Sequence, residues 1–179
     1  EVRAPLVVNA AGPWVDLLLD TLGEARSSTH LVRSKGIHIL TRKLIGESAL
    51  MMAAGTGHFF LLPWRGLTLI GTTDEVYEGH PDDFRVTERD IAGLIETVNT
   101  YYPAAALRRE DVLHSYGGLR PLVDDDNTSA KKASYAKSRR SEVCDHAKTD
   151  GIEGLLSAIG GKWTTSRALA EQVVDLALK

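Results

Sequence analysis

The chain of 179 residues contains a single cysteine, Cys144, which excludes a disulfide framework and any zinc or iron–sulfur site built from several thiolates. It also lacks a basic excess. With 21 Lys and Arg against 24 Asp and Glu and a formal net charge of −3, the surface is not one built to neutralise a nucleic-acid backbone, although two or three local cations suffice for a small anion. No apolar run approaches the roughly 20 residues that cross a bilayer. His30, His58, His80, His114 and His146 show no helix-face metal spacing, and no metal is expected. The opening Glu1-Val2-Arg3-Ala4-Pro5 has neither an initiator Met nor a secretory pattern, so the chain is expected to be cut at its beginning. The remainder, 43% hydrophobic and 25% charged, has the balance of a soluble globular fold, and the lone thiol fits a reducing cytoplasm.

Hydrophobic periodicity organises the chain into strands and helices. Residues 6–10 read as a short buried strand, followed by a Gly12-Pro13 turn and a helix with Trp14, Val15, Leu17, Leu18 and Leu22 on its apolar face, stopped at Gly23. Three strands are expected at 36–42, 58–64 and 67–73, the last two joined by an Arg65-Gly66 hairpin. A polar loop covers 74–85. Thr87 and Asp90 have the spacing of a capping box, opening a helix whose stripe is Ile91, Leu94, Ile95 and Val98 and whose end is Pro103. Residues 112–122 read as a strand broken at Gly117-Gly118, 124–132 as a turn, and 134–143 as a strand. A strand at 154–159, a Gly160-Gly161 turn and a helix capped by Thr164 or Thr165, with Leu169, Val173, Val174 and Leu176, complete the chain. Strand–turn–helix units thus enclose a more antiparallel middle: α/β overall, α+β within this piece.

A glycine turn between a strand and a helix leaves backbone N–H groups at the positive end of the helix dipole, where a phosphate or an electron-rich cofactor edge can bind. Most such turns only reverse the chain. Here the turn is one of five segments in a fixed order: Asn9-Ala10-Ala11-Gly12-Pro13-Trp14; Lys35-Gly36-Ile37-His38; Pro63-Trp64 followed by Ile70-Gly71-Thr72-Thr73-Asp74; Gly118-Leu119-Arg120-Pro121-Leu122; and Gly160-Gly161-Lys162-Trp163-Thr164-Thr165. Together they resemble the FAD-dependent glycerol-3-phosphate dehydrogenases of the glycine/D-amino-acid oxidase group, over nearly the whole chain. The first and fourth segments are shared across the wider group; the others point to the glycerol-phosphate branch.

The resemblance implies a doubly wound FAD domain interrupted by a substrate domain on a mixed, largely antiparallel sheet with helices, with residues 1–27 and 116–179 in the former and 28–115 in the latter. It implies FAD contacts from Ala10, Gly12, Trp14, Gly118, Leu119, Gly161, Lys162, Trp163 and Thr164. The family's G-x-G-x-x-G unit, which holds the pyrophosphate, has its nearest counterpart in Gly55-Thr56-Gly57-His58-Phe59-Phe60, which lacks the third glycine. The N-terminal FAD-binding portion is therefore expected to be missing.

The implied reaction removes a hydride from C2 of glycerol 3-phosphate to the flavin, yields dihydroxyacetone phosphate, and sends electrons to a quinone. His38, Arg120 and Lys162 are the implied catalytic residues. An imidazole, with an ordinary pKa of about 6.5, suits a proton acceptor, though by pattern alone His38 is also a polar residue between Ile37 and Ile39 on a strand's wet face. Arg120, Arg139 and Lys162 are candidates for the substrate phosphate; ion pairs with Asp124-Asp125-Asp126 or plain solvation are the other readings, and Arg140 can replace Arg139 by a one-residue slip. Trp14, Trp64 and Trp163 read as core or cofactor wall. Family members also suggest a homo-oligomer and peripheral attachment to the cytoplasmic face of a membrane. Two alternatives stay open: a related flavin oxidase of amines or amino acids, and a non-catalytic binding module. From the missing pyrophosphate unit, the purified chain is expected to be colourless and inactive; flavin absorbance surviving gel filtration in stoichiometric amount contradicts this.

Overall fold

The structure, a computed structural model, describes residues 3–22, 31–55, 57–123 and 140–179. In chain order its elements are β1 (Val7–Asn9), α1 (Val15–Asp20), β2 (Leu31–Thr41), β3 (Leu50–Ala54), β4 (Gly57–Trp64), β5 (Leu67–Gly71), β6 (Glu75–Tyr77), α2 (Glu88–Tyr101), β7 (Val112–Val123), β8 (Ser141–Asp145), α3 (His146–Thr149), β9 (Leu155–Gly160) and α4 (Ser166–Ala177). They divide into two compact units. The first takes the described parts of 3–34, 120–123 and 140–179; the second takes those of 35–119. Both divisions fall within strands, β2 and β7.

The first unit is built on a three-stranded sheet in the order β1-β9-β8. β1 runs parallel to β9, with Asn9 opposite Ser157, and β8 runs antiparallel to β9. Its core gathers Val15, Leu19, Leu155 and Ile159. The expected face of α1 is corrected here: Val15 and Leu19 are buried, while Trp14, Leu18 and Leu22 are exposed. A 3-10 turn at Gly12–Trp14 precedes the helix, and its three residues per turn shift the phase of α1. At the other end, α3 is tied to β9 by the fully buried His146, whose Nδ1 meets Asp150 Oδ2 and whose Nε2 lies 2.7 Å from Ser157 Oγ. α4 buries Val173 alone of its expected stripe and leaves Val174 exposed. The strand expected at 134–143 starts at Ser141 in the described residues; 134–139, the turn at 124–132 and Gly23 lie outside them.

The second unit is a six-stranded sheet, β3-β4-β5-β2-β6 with β7 also paired to β2. β3, β4, β5 and β2 are successively antiparallel. The β4–β5 turn has both central residues at positive φ, Arg65 at 49° and Gly66 at 79°, the conformation that matches the twist of a two-residue hairpin. Side chains alternate across the pleat. On one face Leu61, Ile70 and Ile39 form a transverse row, which packs with Ile37 and Phe59 against Ile91, Leu94 and Val98 of α2. The helix starts at the expected capping box, with Thr87 Oγ1 accepting from the Asp90 N–H and Asp90 Oδ2 accepting from the Thr87 N–H.

Three expectations fail in this unit. β3, a Leu-Met-Met-Ala-Ala strand of low intrinsic β preference, forms because β4 offers it a complete antiparallel partner. β6 lies inside the stretch read as a loop, where pairing with β2 turns three of its residues into a strand. Gly117-Gly118 does not break β7; a Cβ on Gly117 would sit 2.8 Å from the Gly36 carbonyl oxygen and 3.0 Å from Phe84 Cζ, so glycine serves close approach of neighbouring backbones instead of a turn.

An ion pair that no local pattern announces joins sheet and helix. Lys35, on the helix-facing side of β2, reaches Asp90 in the first turn of α2 and lies 3.4 Å from Glu75. The side chains of Lys35 and Asp90 are only 15% and 6% exposed. Burial alone favours the neutral forms, but the pair's hydrogen bond and attraction outweigh it on both sides: Lys35 titrates above its ordinary value and Asp90, which Thr87 also donates to, below. The Asp90 contribution is complete above the unfolded carboxylate value of about 3.9 and is lost as pH falls through the lower folded value; that of Lys35 is complete below about 10.4 and is lost as pH rises through the higher folded value. Lys35→Met is therefore expected to lower stability by about 3 kcal/mol at neutral pH. The deficit should shrink towards pH values of about 4, where the stranded Asp90 protonates. Urea denaturation at both pH values checks this, and an equal deficit at both contradicts it.

Candidate functional site

In the second unit the face of the sheet turned away from α2 carries, among the described residues, an exposed row of apolar and aromatic side chains together with His38. Antiparallel partners place Met51, Phe60, Gly71 and His38 in one row across β3, β4, β5 and β2; directly opposed residues project to the same face. His38 is half-buried and its ring stacks on Tyr116 of β7, centroids 5.1 Å apart and planes within 10°. Beyond Tyr116 on the same strand comes His114, at 6.3 Å. Along β4, His58 meets Phe60 edge to face at 5.2 Å. The flanking Ile37 and Ile39 are fully buried, so His38 alternates with core residues, as its sequence position suggested, yet it faces an aromatic surface.

Position of the imidazole is set by backbone. The Ile37 N–H donates to Thr73 Oγ1 at 3.0 Å and the Thr73 N–H lies 3.4 Å from the Ile37 carbonyl oxygen. This clamps the residue before His38 to the Gly71-Thr72-Thr73-Asp74 segment. Residues Met51, Phe60, Leu62 and Trp64 leave the face apolar and exposed, Trp64 by 51%, more than scattered surface apolars require. Trp64 is therefore not a core residue.

The first unit offers a different arrangement. Because β1 and β9 are parallel and in register from Val7 to Asn9, the turns after them leave the same end of the sheet, the end where open α/β sheets receive ligands. After β1 the turn is stapled by the buried Asn9: its Nδ2 donates to the Val15 carbonyl at 3.0 Å and its Oδ1 accepts from the Ala11 N–H at 3.2 Å. Arg33, not singled out from sequence, donates from Nε to the Pro13 carbonyl at 2.8 Å and pairs with Asp16. Between these anchors Gly12 has φ +56° and open space where a Cβ would stand, and Ala10 and Trp14 are exposed.

At the end of β9, Gly160 and the following Gly161 take φ +69° and +83°, and a Cβ on Gly160 would run into the Arg140 carbonyl oxygen. A 3-10 turn at Trp163–Thr165 then leads into α4. The expected side-chain cap by Thr164 or Thr165 is not made. Thr165 Oγ1 instead accepts from the Lys162 N–H at 3.2 Å and closes the turn before the helix. Lys162 and Thr164 are exposed, and Trp163 is 92% exposed, which removes it from the core. Two rigid glycine turns at the carboxyl end of a parallel pair, with exposed aromatic and cationic side chains, fit the edge of an extended planar cofactor.

Arg120 sits half-buried where β7 enters the first unit, its Nη1 donating to the buried Ser34 Oγ at 3.2 Å. A Cβ on Gly160 would come within 3.7 Å of the carbonyl oxygen of Pro121, the neighbour of Arg120, so the strand carrying Arg120 passes the glycine turn that carries Lys162. Gly118 and Leu119 lie on β7 within the second unit, exposed and half-buried. Arg139 lies outside the described residues; Arg140 pairs with Glu142 at 3.5 Å. Among the described residues no cluster of His, Cys, Asp and Glu could hold a metal ion, and no helix is long and apolar enough to cross a membrane.

Comparison with known proteins places the chain in a family. The chain is 40% identical over 173 residues to D-erythritol 1-phosphate dehydrogenase of Brucella abortus and 37% identical over 180 residues to glycerol-3-phosphate dehydrogenase of Synechocystis, each match covering 95% of the chain. It spans about a third of these relatives, 33% and 32% of their lengths. The structure matches glycerol-3-phosphate dehydrogenase from Bacillus halodurans complexed with FAD at a TM-score of 0.77 and 32% identity, over 98% of this chain and 32% of that one. A glycine oxidase from Geobacillus kaustophilus shares the fold at a TM-score of 0.64 and 22% identity, over 97% of this chain and 41% of that one. Residues 1–176 match the family described as FAD dependent oxidoreductase (DAO), and the chain belongs to that FAD-dependent family.

Proposed function

We propose that the chain works within a flavoprotein that oxidises sn-glycerol 3-phosphate to dihydroxyacetone phosphate and passes the electrons to a quinone. The observation that most supports this reading is the match of 98% of the chain to the FAD-complexed glycerol-3-phosphate dehydrogenase at 32% identity. Each residue's role rests on its surroundings within its own unit. Bound FAD supplies the acceptor for the hydride from C2. Ala10, Gly12, Trp14, Gly161, Lys162, Trp163 and Thr164, with Gly118 and Leu119, are the proposed cofactor contacts.

His38 takes the C2 hydroxyl proton. Its stack on Tyr116 fixes the ring plane while leaving it half-exposed, as an imidazole that must both meet substrate and release a proton requires. Arg120 is the proposed partner of the phosphate: the residue is half-buried and its Nη1 donates to the Ser34 hydroxyl, and a planar guanidinium fork suits a phosphate edge. Lys162 follows two positive-φ glycines and adds a second cation; Arg139 is the proposed third. Residues 1–27 and 116–179 as cofactor domain and 28–115 as substrate domain belong to the same proposal.

D-Erythritol 1-phosphate is the second reading, favoured by the 40% identity to a dehydrogenase of that substrate. It keeps the phosphate and the secondary alcohol and adds one carbon. Steady-state kinetics on the full-length enzyme decides between them by the ratio of kcat/KM values.

Arg120→Ala and Lys162→Ala in the full-length enzyme are each expected to lower kcat/KM by about thirty- to several-thousand-fold, since losing one partner of a buried charged contact costs about 2–5 kcal/mol and each 1.4 kcal/mol is tenfold. Exposed ion pairs contribute about 0–1 kcal/mol, so near-wild-type kcat/KM for Arg120→Ala makes the phosphate role untenable. His38→Ala should lower kcat and abolish the acid limb of its pH profile.

A further inference from the structure

We infer that Gly71 and Tyr116 are positioning residues, which hold the His38 imidazole at one place and in one plane on the open face of the second unit's sheet. The inference rests on the reading of His38 as proton acceptor and adds the means by which the ring is kept ready. Gly71 is the cross-strand partner of both His38 and Phe60. A Cβ at Gly71 would overlap the imidazole, 2.8 Å from Cγ and 2.9 Å from Nε2 and closer still to Cδ2. Gly71 is not among the glycines at positive φ, so its φ is open to an L-residue and the space demands glycine. The ring lies over the bare backbone of β5, in the slot that any side chain would fill.

Tyr116, from the strand β7 that also pairs with β2, supplies the second constraint. Its ring is parallel to the imidazole within 10°, and it is itself 46% exposed, so its removal takes little from the core. The double tie between Thr73 and Ile37 fixes the backbone beneath. Three independent contacts therefore restrict one side chain: floor, stack and backbone clamp. None of the three residues needs to touch substrate to matter, because a reacting group displaced by about 1 Å can lose about a hundredfold in rate.

The test uses the full-length flavoprotein with isotopically labelled histidine and four variants: Gly71→Ala, Tyr116→Leu, Tyr116→Phe and His38→Ala. Loss of one imidazole resonance in His38→Ala assigns the signal. In Gly71→Ala and Tyr116→Leu that resonance should shift and kcat should fall about ten- to a hundredfold with KM little changed; Tyr116→Phe should restore most of kcat and the wild-type resonance relative to Tyr116→Leu. An unmoved resonance in both Gly71→Ala and Tyr116→Leu, with His38→Ala impaired, overturns the positioning role alone. Wild-type kcat in His38→Ala instead sinks the proton-acceptor reading on which the role depends.

Discussion

The pleat of β2 is the constraint on which the second unit depends. Within Lys35-Gly36-Ile37-His38-Ile39, alternate residues serve opposite tasks because a strand sends them to opposite faces. Lys35, Ile37 and Ile39 go to the helix side, where Lys35 grips Asp90 at the start of α2 and the isoleucines close the core. That commitment leaves His38 facing away, onto a surface the helix does not cover. A one-residue slip of register would bury the imidazole and expose both isoleucines. The ion pair, the capping box and the core row thus set which face of the sheet packs on α2 and which carries His38.

The first unit solves a different problem, that of holding a turn rigid at the end of a parallel strand pair. Asn9 does it with a buried amide that satisfies a donor and an acceptor of the next turn. Gly160 and Gly161 do it with left-handed backbone, and Thr165 bridges back to Lys162. Neither turn depends on apolar packing of its exposed residues, which is why Trp14 and Trp163 can project outward. Such pre-set turns lower the ordering cost of receiving a ligand.

Features legible in the sequence were those decided locally. The Arg65-Gly66 hairpin and the Thr87–Asp90 box are written in a few adjacent residues, and both are present in the fold. Those that escaped were decided at a distance. β3 needs β4 beside it, Gly117 of β7 answers to Gly36 and Phe84, and Lys35 finds Asp90 across 55 positions of sequence. The phase of α1 turned on a single 3-10 turn that periodicity does not encode. For the proposed site, His38 is singled out by its motif, while its neighbours Gly71 and Tyr116 emerge only once β5 and β7 are laid beside β2.

Membership in the FAD-dependent family is settled by the match over residues 1–176; the substrate is the central claim. Anaerobic mixing of the full-length flavoprotein with candidate substrates, followed by flavin absorbance, tests it most directly. Bleaching is expected with glycerol 3-phosphate or its one-carbon-longer homologue erythritol 1-phosphate, and none with unphosphorylated glycerol or with glycine. Bleaching by glycine or another amine, with the polyol phosphates inert, would contradict it.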